Sequence, residues 1–268
     1  MVADLRRLVP EDVPDAFELS TFAGWNQLPA DWLLLLSLAP EGCFAIEVDG
    51  RVVATTTLLS HAGRLAWLGM VLTHPNYRRQ GFARRLMTHA LEHARLLGIP
   101  TVKLDATDAG RPLYESFGFR SEQMIERWTR SGSAPFEASN ENRQFNATLH
   151  AEACGYDRGR LLDALSLRGS VSTTPDADLF LRSGRVYSYL GPCIARQPVA
   201  AADLILAAMA EHATRSWCWD ILPANRGAVA LAQRLGFVRQ RILTRMVWGQ
   251  DLRGREDWIY AGAGFDLG

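Results

Sequence analysis

Residues 74–94 read "HPNYRRQGFARRLMTHALEHA" and place Arg78, Arg79 and Gly81 at the start of an apolar-periodic segment. The first turn of a helix carries amide N–H groups without intrahelical partners and the positive end of the backbone dipole. Glycine lets a backbone approach a ligand closely and arginine adds charge, so the combination can cradle a phosphorylated ligand. A solvated basic loop is the plain alternative. The stretch 78–85, with four arginines, is the densest basic cluster in a chain whose 29 Lys+Arg balance 29 Asp+Glu. Bulk charge therefore argues against a nucleic-acid or membrane-surface role, and any basic site must be local.

At 268 residues the chain is long enough for one large domain or two ordinary ones, and 48% hydrophobic with 22% charged residues can form buried cores. Cys43, Cys154, Cys193 and Cys218 lie far apart without metal-ligand spacing, which predicts reduced thiols and no metal site. The amino terminus lacks an apolar signal core, and "WLLLLSLA" (32–39) is too short to span a bilayer. Both predict a soluble, cytoplasmic protein with no membrane partner. A P-loop is excluded, because no Gly-Lys-Ser/Thr occurs.

The elements that must position the loop can be read in order. "LRRLV" is a strand, Pro10 turns the chain, and Glu11 and Asp12 open a helix; "LPADWLLLLSLA" is a second helix. "CFAIEVDGRVVATTTLLS" predicts two strands joined by Asp49-Gly50, and "LAWLGMVLT" (65–73) a strand apolar on both faces. After the basic loop, Phe82, Leu86, Ala90 or Leu91, Ala94 and Leu97 form a core-facing helical stripe stopped by Gly98 and Pro100. "TVKLDA" is a strand, "GRPLYESFG" a short helix and "FRSEQMIERWTR" a strand. This order predicts a mixed α/β sheet with helices on its faces. Residues 131–143, "SGSAPFEASNENR", read as a linker. Beyond it come two helices, strands near 178–182, 185–190 and 216–221, helices at 199–212 and 225–235, and a last strand "RILTRMVWG".

An offset of 118 lays "LYESFGF" (113–119) on "LAQRLGF" (231–237), and "FARRLMTHALEHA" (82–94) on "AAADLILAAMAEH" (200–212), without a gap. The chain reads as a duplication. In the second copy Gly81 becomes Val199, Gln80 becomes Pro198, Arg79 becomes Gln197 and Tyr114 becomes Ala232. Proline has no N–H to donate, so only the first copy is expected to bind phosphate.

With strand, Arg-x-x-Gly-x-Ala loop (Arg78, Gly81, Ala83), helix, strand and "Y-E-x-F-G-F" in order, residues 4–130 resemble the GNAT superfamily of acetyl-CoA-dependent N-acetyltransferases. The second half resembles the degenerate GNAT-like domain of two-domain members; its "NRGAVALAQRLGF" matches the family's Asn-x-x-Ala element, where the first half has Thr107 and Gly110. The implied organisation is a catalytic acetyl-CoA-binding GNAT domain over 1–130, a linker over 131–143 and a degenerate GNAT-like domain over 144–268. The resemblance implies acetyl-CoA as acyl donor. Its diphosphate would lie on the loop of Arg78, Arg79, Gln80, Gly81, Phe82, Ala83 and Arg84, and its pantetheine arm along Val71, Leu72 and Thr73. Tyr114 matches the position whose hydroxyl protonates the departing thiolate.

The family's glutamate on the strand before the loop has no counterpart in "RLAWLGMVLT". Asp105, His74, and Asp220 or the linker-side acids of the second half remain candidate bases, and deprotonation through water is a further route. Trp25, Asn26 and Gln27 lie where the family builds its acceptor pocket; they face substrate or pack the two helices. Trp217 and Trp219 beside Asp220 pose the same question, and Arg111 either meets the 3′-phosphate or caps its helix. The leading expectation is acetyl transfer to a primary amine of a small molecule. A non-catalytic acyl-CoA-binding module and a protein N-acetyltransferase are the rivals. The second half is then a substrate wall or the surface of a homodimer.

Overall fold

Asp49 and Gly50 both take positive φ (50° and 77°) and turn β2 (Cys43–Val48) back into β3 (Arg51–His61), the conformation a two-residue hairpin requires. The computed structural model describes residues 3–133 and 144–268, so most of the expected linker lies outside the described residues. The first half runs β1 (Ala3–Arg7), α1 (Val13–Phe22), α2 (Pro29–Leu38), β2, β3, β4 (Leu65–Thr73), α3 (Phe82–Leu96), β5 (Thr101–Ala106), α4 (Arg111–Glu115) and β6 (Arg120–Arg130). Helix α3 buries Phe82, Leu86, Met87, Ala90, Leu91 and Ala94 against the sheet. Leu97, expected on that stripe, is exposed, because the helix closes one residue earlier and Gly98 turns away at φ 66°.

The second half runs α5 (Ala147–Cys154), α6 (Gly159–Ser166), β7 (Gly169–Thr174), β8 (Ala177–Arg182), β9 (Ser188–Ala195), α7 (Pro198–Glu211), β10 (Trp217–Ile221), α8 (Arg226–Arg234), β11 (Val238–Gly249) and β12 (Ile259–Ala261). The strand expected at 185–190 begins later and continues through Gly191-Pro192, which reads as a break. A register shift opposite β8 at that point forms a bulge that accommodates the proline. The chain gave no signal for β7 or β12.

The twelve strands among the described residues join one mixed sheet, with the order β1-β2-β3-β4-β5-β11-β6-β10-β9-β8-β7 and β12 on β9. The final long strands are exchanged: β11 of the second half pairs with β5, and β6 of the first pairs with β10. At the centre β6 and β11 run antiparallel with Ile125 opposite Leu243, residues separated by the duplication offset of 118. The pseudo-twofold axis of the duplication therefore passes between these two side chains. Asn26 staples the halves: its amide donates to the Tyr187 carbonyl (2.8 Å), and its oxygen accepts from the Val186 and Tyr187 amides (2.8 and 2.9 Å). No helix among the described residues is long and apolar enough to cross a membrane. The four cysteines are free thiols, three of them buried.

Candidate active site

Eight residues, His74–Gly81, carry the chain from β4 into α3. Arg79 (φ 64°) and Gly81 (φ 81°) take left-handed conformations, which bend the loop so that successive amides face outward. None of the backbone N–H groups of residues 79–84 donates to another group among the described residues. A Cβ at Gly81 would meet nothing within 4 Å, so the turn is open to solvent. Arg78, Arg79, Gln80 and Arg84 are exposed around it, while Phe82 is buried in the core. Arg78 Nε donates to the Thr73 carbonyl (3.3 Å), and Arg84 donates to Ser116 Oγ (3.2 Å) over the Phe117 ring. Six outward amides ringed by cations fit a diphosphate.

Behind the loop the sheet opens. Parallel strands β4 and β5 pair only at Ala66–Val102 and Trp67–Lys103, then diverge. On its other side β4 carries a bulge: Leu72 and Gly69 oppose Thr55 and Thr57, and Met70 takes φ 50°. The hydroxyls of Thr55 and Thr56 donate to the carbonyls of Met70 (2.8 Å) and Gly69 (3.3 Å) and fix it. The splay holds a cavity of about 210 Å³. Met70, Val71 and Ala83 line it on one side and Asp105 and Tyr114 on the other. Leu72 and Thr73 continue β4 from there towards the loop.

Tyr114 is buried, and burial pushes its phenol above the ordinary value. Its hydroxyl faces the cavity without a hydrogen bond among the described residues. A Cβ at Gly110 would sit 3.0 Å from its ring, a reason for glycine at that position. Asp105 receives Arg245 Nε and Nη2 (2.9 and 3.0 Å) across β5 and β11; burial raises its pKa while Arg245 opposes the shift. Trp25 lines the cavity, and its carbonyl accepts from Arg185 (2.8 Å). Asn26 is committed to the staple and does not line the cavity. Asp220 also lies off the cavity, behind Arg127, to which it is joined by two contacts of 2.7 and 2.6 Å. His74 accepts from the Asn76 amide, Arg111 faces Glu115, and Trp217 and Trp219 are buried in the second half's core.

Residues the sequence left unmarked complete the wall: Arg127, Arg241, Leu243, Phe265 and Asp266. Segment 262–268 folds back across the first half, where Trp67 Nε1 donates to the Phe265 carbonyl (3.0 Å). A Cβ on Gly69 would stand 2.9 Å from the Asp266 carbonyl, so this acid is held against the β4 bulge. Burial raises the Asp266 pKa, and Asp266 Oδ1 and Gln27 Oε1 have no partner among the described residues. The one signal for Arg241 and Leu243 was the alternation Arg241, Leu243, Arg245 along β11, a strand that also carries Arg239, Gln240 and Thr244. "GAGFDLG" carried none.

The second half repeats the splay, with β9 and β10 paired in parallel only at Ser188–Trp217 and Tyr189–Cys218. Here β12 fills the gap: it pairs with Cys193 and Ile194 of β9, Trp219 Nε1 donates to the Tyr260 carbonyl (2.7 Å), and Gly262 N donates to the Asp220 carbonyl (2.9 Å).

The profile of the acetyltransferase (GNAT) family matches residues 5–119, and that of an acetyltransferase (GNAT) domain matches residues 147–261. The chain belongs to the GNAT acetyltransferase family. Both halves are GNAT units in tandem. The uncharacterized N-acetyltransferase YitH of Bacillus subtilis is 26% identical over 174 residues, a stretch spanning 62% of this chain and 61% of that relative's length. A putative acetyltransferase from Pyrococcus horikoshii superposes with a TM-score of 0.86 at 20% identity, covering 99% of this chain and 96% of its own. A tandem GNAT protein from the clavulanic acid biosynthesis pathway shares the fold at a TM-score of 0.59 and 13% identity, over 92% of this chain and 98% of its own.

Proposed function

We propose that this GNAT chain moves acetyl from acetyl-CoA to a primary amine of a small molecule by direct attack on the thioester. The observation that carries the reading is the continuity of the open amides of residues 79–84, the splay behind them and the Tyr114 hydroxyl facing that splay. Acetyl-CoA supplies the acyl group as a thioester. Residues 79–84 hold the diphosphate, and the free edge of β4 at Val71–Thr73 receives the pantetheine arm. As the amine nitrogen bonds to the acyl carbon and the carbon–sulfur bond breaks, Tyr114 gives its proton to the departing sulfur. Its raised pKa keeps the phenol protonated until that moment.

Asp266 takes the proton lost by the amine. We assign it this role rather than Asp105 because both oxygens of Asp105 are held by the Arg245 cation, whereas Asp266 is hydrogen-bonded by the neutral Gln27, lines the cavity and lies against β4. Asp105 then orders the far wall through Arg245. A cavity of about 210 Å³, lined in part by Trp25 and Phe265, suits a small amine better than a peptide chain. Thiol release from acetyl-CoA with a panel of amines tests the reading. Tyr114→Phe should lower kcat by roughly a hundred-fold with coenzyme A affinity unchanged. Undiminished turnover would remove Tyr114 as the acid, and no release with any amine would leave only acyl-CoA binding.

A further inference from the structure

Two rows of polar side chains cross the exchanged strands and are related by the pseudo-twofold axis. In one, Asp105 of β5 binds Arg245 of β11, which stands opposite Gln123 of β6. In the other, Asp220 of β10 binds Arg127 of β6, which stands opposite Arg241 of β11. The duplication offset of 118 carries Arg127 onto Arg245 and Gln123 onto Arg241. The rows therefore match in their first two members and differ in the third.

That third member changes the charge. The first row holds one carboxylate and one guanidinium, and its Gln123 donates to Glu256 (2.9 Å). The second holds one carboxylate and two guanidinium groups. Like charges directly opposed on neighbouring strands are destabilising, and half-burial adds to the cost. Arg241 makes no hydrogen bond or ion pair among the described residues, and both it and Arg127 line the cavity. Burial first, and Arg127 second, hold its pKa below the ordinary guanidinium value. Arg127 spends Nε and Nη2 on Asp220, leaving Nη1 without a partner, and its guanidinium lies 4.3 Å over the Phe265 ring. Arg241 is thus a cation lining the cavity with no ion-pair partner among the described residues, and an anion entering the cavity can pair with it. Carboxylates already satisfy the two neighbouring arginines, and the planar fork matches them.

We propose that the acceptor is a small amino carboxylate whose carboxylate is held by Arg241 and the free Nη1 edge of Arg127, an assignment that rests on the acyl-transfer reading above. Its amine then faces Asp266 and Gln27, at the β4 side of the same cavity. The second half thus supplies a substrate-recognition residue that the first half does not encode.

The test uses the full chain with acetyl-CoA and the common α-amino acids, β-alanine and 4-aminobutyrate, each against its own carboxamide, with 2-aminoethyl phosphate as a different anion. Thiol release reads turnover, and calorimetric titration of acceptor into the coenzyme A complex reads binding. At least one carboxylate should exceed its amide by about ten-fold or more in kcat/KM, the worth of a hydrogen-bonded charge. Arg241→Gln should remove that preference, raising KM for the carboxylate by more than for its amide, and Arg241→Lys should restore part of it. Arg241→Gln should also hold or raise the Tm, since it relieves a like-charge pair; a purely structural arginine would lower it. Amides equal to carboxylates, equal losses on both in Arg241→Gln, or preference for aminoethyl phosphate would overturn the proposal. Carboxylate binding that depends on Arg241 without thiol release would sustain the recognition site and reject acyl transfer. Absence of both would reject the recognition site.

Discussion

The two splays of the sheet have the same strand geometry and opposite contents. Between β4 and β5 the gap is a cavity; between β9 and β10 it is filled by β12 of the same chain, which makes the backbone hydrogen bonds an extended ligand would make. The turns in front of them differ in the same sense. Eight residues precede α3 and present unpartnered amides, whereas Arg196 and Gln197 alone separate β9 from α7, which opens on Pro198. A duplicated framework thus leaves one splay open and closes the other with its own backbone. The segment that closes the second copy continues into Phe265 and Asp266, which wall the first.

Several measurements break or sharpen this contrast. Gly81→Asp forces a side chain into positive φ and sets a carboxylate before the diphosphate. Coenzyme A affinity should fall by roughly a hundred-fold or more, and unchanged calorimetry would refute the cradle. Asp266→Asn should lower kcat by about thirty-fold and abolish the acidic limb of the kcat/KM profile. In the parent protein that limb should lie above the ordinary carboxylate value of about 4, because burial raises the Asp266 pKa and a base works only once ionised. A limb that survives in the variant would assign the proton to another group. Asn26→Ala removes the acceptor of the part-buried Val186 and Tyr187 amides at the junction of the halves. A loss of about 2 kcal/mol, read as a Tm drop of several degrees, is expected with the Kd for coenzyme A unchanged. Smallest of all, Val199→Asp, at an exposed position of the twin helix, should leave coenzyme A affinity within about two-fold at one ligand per chain. A second equivalent of ligand would show that the filled splay opens.

Much of the first half was legible because its signals are local. The Asp49-Gly50 hairpin, the α3 stripe from Phe82 to Ala94 and the Gly81 turn each depend on residues a few positions apart. The base we assign was not legible, since Asp266 follows Tyr114 by about 150 residues in a tail with no periodicity and reaches β4 only by folding back across the sheet. Arg241 was hidden for a related reason: its meaning lies in the residue opposite it. Asn26 and Asp220 were singled out as polar groups near the expected pocket, but they are held by partners in the other half or behind Arg127, and no local pattern encodes such pairing.

By itself the sequence determined the duplication, the Gly81 turn that opens α3 and the Pro198 start of its twin helix, because glycine, proline and apolar periodicity act on their immediate neighbours. Tertiary structure alone decided the exchange of β6 and β11, the plugging of the second splay by β12 and the assembly of one cavity from both halves. Strand pairing joins backbones that are alike in every residue, so the choice of partner falls to side-chain burial summed over the whole sheet.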